Sequence, residues 1–151
     1  MVIPARNEAA SIGETVRRVL VQAVQAGPGI DLEVVVADDG STDGTAAAAR
    51  SAGARVLSLG QEGGNPAAAR NRGAAAATGD PIVFLDADCL PGDGWLEAIL
   101  AAHDRGEAVV GGSLGLPPGL PPTARCDYYC GWYLIHPRRP AGPVRTTRRR
   151  T

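Results

Sequence analysis

The chain contains no lysine; all 15 of its basic residues are arginine. Receiver domains and haloacid-type phosphatases also set carboxylates at strand ends, but both use a lysine to neutralise the phosphoryl group, so the absence excludes them. Cysteine is scarce: Cys89, Cys126 and Cys130 form neither a CxxC pair nor an even set. A disulfide framework is therefore not expected, and with His103 and His136 as the only histidines a structural zinc site is not expected either. Buried, inert thiols in a reducing, cytoplasmic setting are the expectation. No apolar run approaches the roughly 20 residues of a membrane span, and no secretory signal pattern is visible. Aromatic residues make up 4% of the chain and none follows Tyr133, which argues against nucleic-acid recognition by the arginine-rich end.

What is present suffices for one ordinary domain, since 151 residues are 44% hydrophobic. The formal net charge of −1 conceals an asymmetry: residues 1–107 carry 15 acids against 8 arginines, whereas residues 108–151 carry 7 arginines and only Asp127. The arginine-rich end could meet anionic headgroups, so a peripheral contact with the inner face of the membrane is a further expectation.

Ile82-Val83-Phe84-Leu85 is a short apolar run that ends in Asp86-Ala87-Asp88, and its length and composition predict a parallel strand buried on both faces. Before it, Val2-Ile3-Pro4 reads as a first strand. Ser11-x-x-Glu14 reads as a capping box opening a helix whose apolar face is Ile12, Val16, Val19, Leu20, Ala23 and Val24, ending at Gly27-Pro28. Leu32 to Ala37 is a β-branched second strand closed by Asp38-Asp39, and a helix is predicted from Thr45 to about Ala52. Arg55 to Leu59 is a third strand, Gly60 to Pro66 a loop, and Ala67 to Ala77 a helix carrying Arg70. The resulting βαβαβαβ order predicts an α/β fold, a mostly parallel sheet with helices on both faces.

After the acid pair, residues 94–103 predict an amphipathic helix with Trp95, Leu96, Ile99, Leu100 and His103 on one face, and residues 108–113 a fifth strand. Residues 116–122 are a proline-rich break. The aromatic segment 125–135 reads equally well as a helix against the sheet or as the lining of an acceptor cleft, and the tail from His136 is expected to be disordered. The domain division is thus 1–113, 114–135 and 136–151.

Parallel strands carry their ligands at the carboxyl edge, and three acidic loops converge there: Asn7-Glu8, Asp38-Asp39 and Asp86/Asp88. A bare Asp-x-Asp is often just a polar strand end. With Arg70 reaching the same edge, however, the set suits a base or ribose, a divalent metal and a diphosphate. Hard carboxylate oxygens match Mg²⁺ or Mn²⁺, which offsets the repulsion between acids and phosphates.

Val2-Ile3-Pro4-Ala5-Arg6-Asn7-Glu8, Val35-Val36-Ala37-Asp38-Asp39-Gly40-Ser41-Thr42-Asp43-Gly44-Thr45, Ala69-Arg70-Asn71-Arg72-Gly73 and Gly79 to Asp88 resemble, in order, the motifs of glycosyltransferase family 2. The resemblance implies a GT-A fold and inverting transfer of sugar from a nucleotide-diphospho-sugar to a saccharide, lipid or other hydroxyl acceptor, as in cell-envelope or polysaccharide synthesis. It implies that Pro4, Glu8 and Asp39 contact the nucleoside, with Asp39 or Asp38 bonding the base. Arg70 would lie beside the base or diphosphate, Asp86 near ribose and metal, and Asp88 on the Mg²⁺ or Mn²⁺.

The second half departs from the family. An inverting enzyme needs a base for the acceptor hydroxyl, and past Glu107 the chain offers Asp127 alone. The tail reads as a chain cut short, so donor binding with impaired transfer is expected. The rival readings are a non-catalytic nucleotide-sugar-binding fragment or pseudoenzyme and a nucleotidyltransferase, the last without a Gly-rich phosphate loop.

Overall fold

A computed structural model of the protein describes residues 1–60, 64–116 and 119–131, with backbone alone over 127–131. Three parallel strands, β1 (Val2–Ala5), β2 (Val35–Asp38) and β3 (Arg55–Ser58), pair in the order β1-β2-β3, in register Val2 with Val35 and Val35 with Arg55. Helices α1 (Ile12–Gln25), α2 (Thr45–Ser51), α3 (Pro66–Ala76) and α4 (Trp95–Asp104) separate or follow them, and α5 (Pro122–Gly131) comes last. Residues Met1–Val109 form one compact unit and Val110–Thr151 a second, of which α5 is the described helix.

Alternation along the strands divides the core in two, because successive side chains leave opposite faces. Ile3, Ala5 and Val36 pack with Ile12, Val16 and Val19 of α1, Ala49 of α2 and Leu96 of α4. Val2, Val35 and Ala37 are buried under α3 on the other face. There Gly73 lets helix and strand touch: a Cβ on it would fall 2.4 Å from Val2 Cγ1 and 3.4 Å from Ala37 Cβ. Helices therefore cover both faces, as the sequence predicts.

Several expectations need correction. Residues 82–85 run parallel to β1, with the Val2 N–H donating to Val83 O at 2.8 Å and the Leu85 N–H to Val2 O at 3.2 Å, but they form a single bridge, Val2 with Phe84. Only one face is buried. Val83, Leu85 and Ala87 join the core, whereas Ile82 and Phe84 remain 40% and 45% exposed. The segment sits at the sheet's edge, beside β1. Residues 108–113 form no strand, and Val109 is 91% exposed.

The capping box does not form. Ser11 occupies the N-cap position in a helical conformation, its Oγ donates back to Glu8 Oε2 at 2.7 Å, and Glu14 pairs instead with Arg17. The turn already begins at Glu8, whose carbonyl accepts the Ser11 and Ile12 N–H groups. On α1, Val24 points to solvent, while Thr15 and Gln22 occupy the buried stripe. Both have partners: Thr15 Oγ1 donates to Ala87 O at 2.9 Å, and Gln22 Oε1 accepts the Leu96 N–H at 3.0 Å. On α4, His103 is exposed and Ala102 takes the inward position. Among the described residues no helix is long and apolar enough to cross a membrane. The predicted arginine-rich tail, residues 132–135 and the side chains of 127–131 in the aromatic segment, and residues 61–63 of the loop before α3 lie outside the described residues.

Candidate functional site at the carboxyl edge of the sheet

The carboxyl ends of β1 and β2 and of the bridging segment open into a cavity of about 310 Å³, at the lower end of ordinary small-molecule pockets. Pro4, Arg6 and Glu8 line it from β1 and the loop beyond, and Asp39 from the end of β2. Gly64, Pro66 and Arg70 line it from α3 and its approach, and Asp86 and Asp88 from the edge segment.

The Asp39 N–H donates to Ala5 O at 2.9 Å, carrying the ladder one residue past the strands and bringing Asp39 beside the β1 loop. Its Oδ2 accepts the Gly64 and Asn65 N–H groups at 2.7 and 3.0 Å. Gly64 supplies the positive φ of +114° that this turn requires. Asn65 in turn caps α3, its Oδ1 accepting the Ala68 N–H at 3.0 Å, with Pro66 opening the helix. Asp39 thus helps set where α3 starts, and one turn later Arg70 reaches Asp86, Nη2 to Oδ1 at 2.5 Å. Both side chains are partly exposed, so the pair contributes at most about 1 kcal/mol to stability and serves mainly to orient the two groups.

Asp86 and Asp88 flank the buried Ala87 in a turn closed by the Cys89 N–H donating to Asp86 O at 3.1 Å, and the Ala87 carbonyl accepts the Thr15 hydroxyl. No group of three or more His, Cys, Asp or Glu side chains suited to a metal occurs among the described residues. Two carboxylates in Asp-x-Asp fit a Mg²⁺ or Mn²⁺ whose other positions go to water and phosphate oxygens. Asp86 already engages the Arg70 guanidinium, whereas Asp88 makes no ion pair among the described residues and has the Cys89 thiol as its hydrogen-bond neighbour. Next to them, burial pushes the Cys89 thiol up, and the Asp88 and Asp86 charges add to the effect, so the thiol stays protonated and unreactive at neutral pH.

Of the residues singled out from sequence, Pro4, Glu8, Asp39, Arg70, Asp86 and Asp88 share this cavity. Asp38 does not line it; that residue is buried and its Oδ1 accepts the Ser41 N–H at 3.1 Å. Asp127 lies on α5, and its side chain falls outside the described residues. Sequence reasoning passed over Arg6, Gly64 and Pro66. The Gly64-Asn65-Pro66 run carries a recognisable turn and helix-start signal, whereas nothing in the sequence directs Arg6 to the cavity.

The family model for glycosyl transferase family 2 matches residues 1–125. Validoxylamine A glucosyltransferase of Streptomyces hygroscopicus subsp. jinggangensis is 39% identical over 107 residues, covering 68% of this chain and 25% of that protein. Glycosyltransferase AglE of Haloferax volcanii is 34% identical over 119 residues, covering 76% and 38%. Among solved structures, Mycobacterium tuberculosis glucosyl-3-phosphoglycerate synthase in complex with Mn²⁺ and UDP-glucose superposes with a TM-score of 0.55 at 33% identity, covering 72% of this chain and 39% of that one. The chain thus spans about a quarter to two fifths of the length of these relatives. With the ordered motifs, the parallel sheet between helices and the cavity at its carboxyl edge, these matches establish that the chain has a GT-A-type fold and belongs to glycosyl transferase family 2.

Proposed function

We propose that this chain forms the donor-binding part of a glycosyltransferase that takes sugar from a nucleotide-diphospho-sugar. The single observation that carries the reading is one cavity lined together by Glu8, Asp39, Arg70, Asp86 and Asp88. Glu8 and Asp39 are assigned to the nucleoside, Asp39 accepting a hydrogen bond from the base while Pro4 backs the pocket floor. Asp38 supports that loop from beneath. Arg70 is assigned to the diphosphate and Asp86 to the ribose side. Asp88, with Asp86, would hold Mg²⁺ or Mn²⁺, which when bound supplies charge neutralisation for the departing diphosphate.

The donor core is taken as residues 1–113. Residues 114–135 are taken as the start of an acceptor region and 136–151 as an arginine-rich tail that meets anionic lipid headgroups. Asp127 is the candidate base in that region. Positioned general-base assistance contributes about 10²–10⁴-fold, so the activity of the chain depends on whether Asp127 reaches the acceptor hydroxyl.

Calorimetric titration of nucleoside diphosphates with and without Mn²⁺ tests the donor reading. Binding is expected to tighten by about 10-fold or more with the metal, equivalent to about 1.4 kcal/mol. Absence of binding for every nucleoside diphosphate would overturn it. Release of nucleoside diphosphate from a panel of donors and acceptors, compared between the parent and Asp127→Asn, separates transfer from binding alone.

A further inference from the structure

Resting on that donor-site reading, we propose that Asn7 and Asp43, neither of which lines the cavity, are positioning residues that lock the loops after β1 and β2 together and thereby hold Glu8 against the donor. Asn7 is the one non-glycine residue with positive φ among those described, at 55°. Asparagine tolerates this left-handed conformation because its short side chain bonds locally. Here that side chain reaches the neighbouring loop: Asn7 Oδ1 accepts the Thr42 N–H at 2.9 Å, while the Asn7 N–H donates to Ser41 Oγ at 3.0 Å.

Asp43 closes the lock from the other loop. Its Oδ2 accepts the Ala9 N–H at 3.2 Å, and its Oδ1 accepts both the Thr45 N–H, at 2.9 Å, and the Thr45 hydroxyl. That hydroxyl oxygen in turn accepts the Glu8 N–H at 2.7 Å. Glu8 is therefore held at its amide by Thr45, at its carbonyl by the start of α1 and at Oε2 by the Ser11 hydroxyl, with Oε1 facing no partner among the described residues. The bonds from Asn7 and Asp43 cross between the two loops that carry Glu8 and Asp39 into the cavity. Releasing either would let the β1 loop relax from its left-handed turn and move the Glu8 carboxylate, with no donor contact removed.

A double-mutant cycle distinguishes this from a general loss of structure. In the full chain, affinity for the nucleoside diphosphate that binds the parent most tightly with Mn²⁺ is measured for Asn7→Gly and Asp43→Asn in both the parent and Glu8→Ala backgrounds, together with Tm. Asn7→Gly keeps the left-handed backbone accessible and removes only the acceptor, and Asp43→Asn gives an independent reading if the first variant folds poorly. Each is expected to weaken binding about 5- to 10-fold in the parent and less than about 2-fold once Glu8 is alanine. Losses of equal size in both backgrounds, or no loss in the parent, would overturn the positioning role alone. A parent that binds no nucleoside diphosphate would overturn the donor reading and the positioning role with it, and a Glu8→Ala variant that binds undiminished would overturn the positioning role.

Discussion

On the Glu8–Asp39 side of the cavity, the loops after β1 and β2 are stitched to each other through Asn7, Ser41, Thr42, Asp43 and Thr45, and Asp39 ties the same edge to the start of α3. The Asp86–Asp88 side is joined to Val2 by two main-chain bonds, to α1 by the Thr15 hydroxyl and, just beyond, by Arg18 and Gln22, and to α3 by the Arg70–Asp86 pair, with Ile82 and Phe84 exposed beside it. A network whose members each have partners fixes geometry before a ligand arrives, and the free energy of ordering is then not charged to binding. An acid pair on a sheet edge is less constrained, and like charges beside each other relax only when a cation or guanidinium lies between them. On the donor reading, the loops assigned to the nucleoside are preorganised, whereas the acid pair would be completed by metal and diphosphate.

The largest effect is expected where both sides depend on one contact. Gly73→Val places a branched side chain where even a Cβ would meet Val2 Cγ1 at 2.4 Å. It should cost about 3 kcal/mol and lower Tm by roughly 10 °C or more. An unchanged thermal transition would mean that α3 lifts freely and that its seating does not set the position of Arg70.

Thr15→Val is the next test, and it is selective. The variant keeps the shape but removes the hydrogen bond to the buried Ala87 carbonyl, with an expected cost of about 2 kcal/mol by denaturant titration. The loss should fall on metal-dependent binding and spare metal-free nucleotide affinity; equal losses in both would erase the distinction between the two sides. Asp88→Asn should weaken Mn²⁺-dependent nucleoside diphosphate binding 10-fold or more, about 1.4 kcal/mol, with stability altered by less than about 0.5 kcal/mol. Calorimetry showing parental affinity would remove Asp88 from the metal.

Acid should loosen the interlocked side. The Thr45 hydroxyl, followed by the Thr45 and Ala9 amides, holds the Asp43 carboxyl below its ordinary value of 3.8. A lowered native pKa contributes stability that is full above the ordinary value and lost as pH falls through the native one. The protection of the Ala9 and Thr45 amides against hydrogen exchange, relative to the intrinsic rate at each pH, should therefore fall below about pH 4, as Asp43 takes up its proton. Unchanged protection down to pH 2 would show that the lock does not depend on the charge. The smallest effect is expected at Ser11, which makes no capping bond. Ser11→Ala should cost less than about 0.5 kcal/mol, against about 1 for a working N-cap, as read from Tm.

Local patterning was enough to find β1 to β3, helices α1 to α4 and the family's acidic motifs, though not to exclude a strand at 108–113, because helix and strand periodicities and strand-end carboxylates are properties of short stretches. From these alone Asn7-Glu8, Asp38-Asp39, Arg70, Asp86 and Asp88 could be assigned to one edge, and the family resemblance added Pro4. Tertiary structure decided what those stretches could not contain. Whether residues 82–85 are covered on both faces depends on what packs beside them, and an apolar run looks the same in either case. Ser11-x-x-Glu14 has the form of a capping box, yet Glu8 starts the turn earlier and draws the Ser11 hydroxyl to itself. Asp38 and Asp39 are adjacent in sequence, but strand alternation sends one into the protein and the other into the cavity. Asn7 and Asp43 acquire their partners only when two parallel strands bring loops more than thirty residues apart into hydrogen-bonding reach.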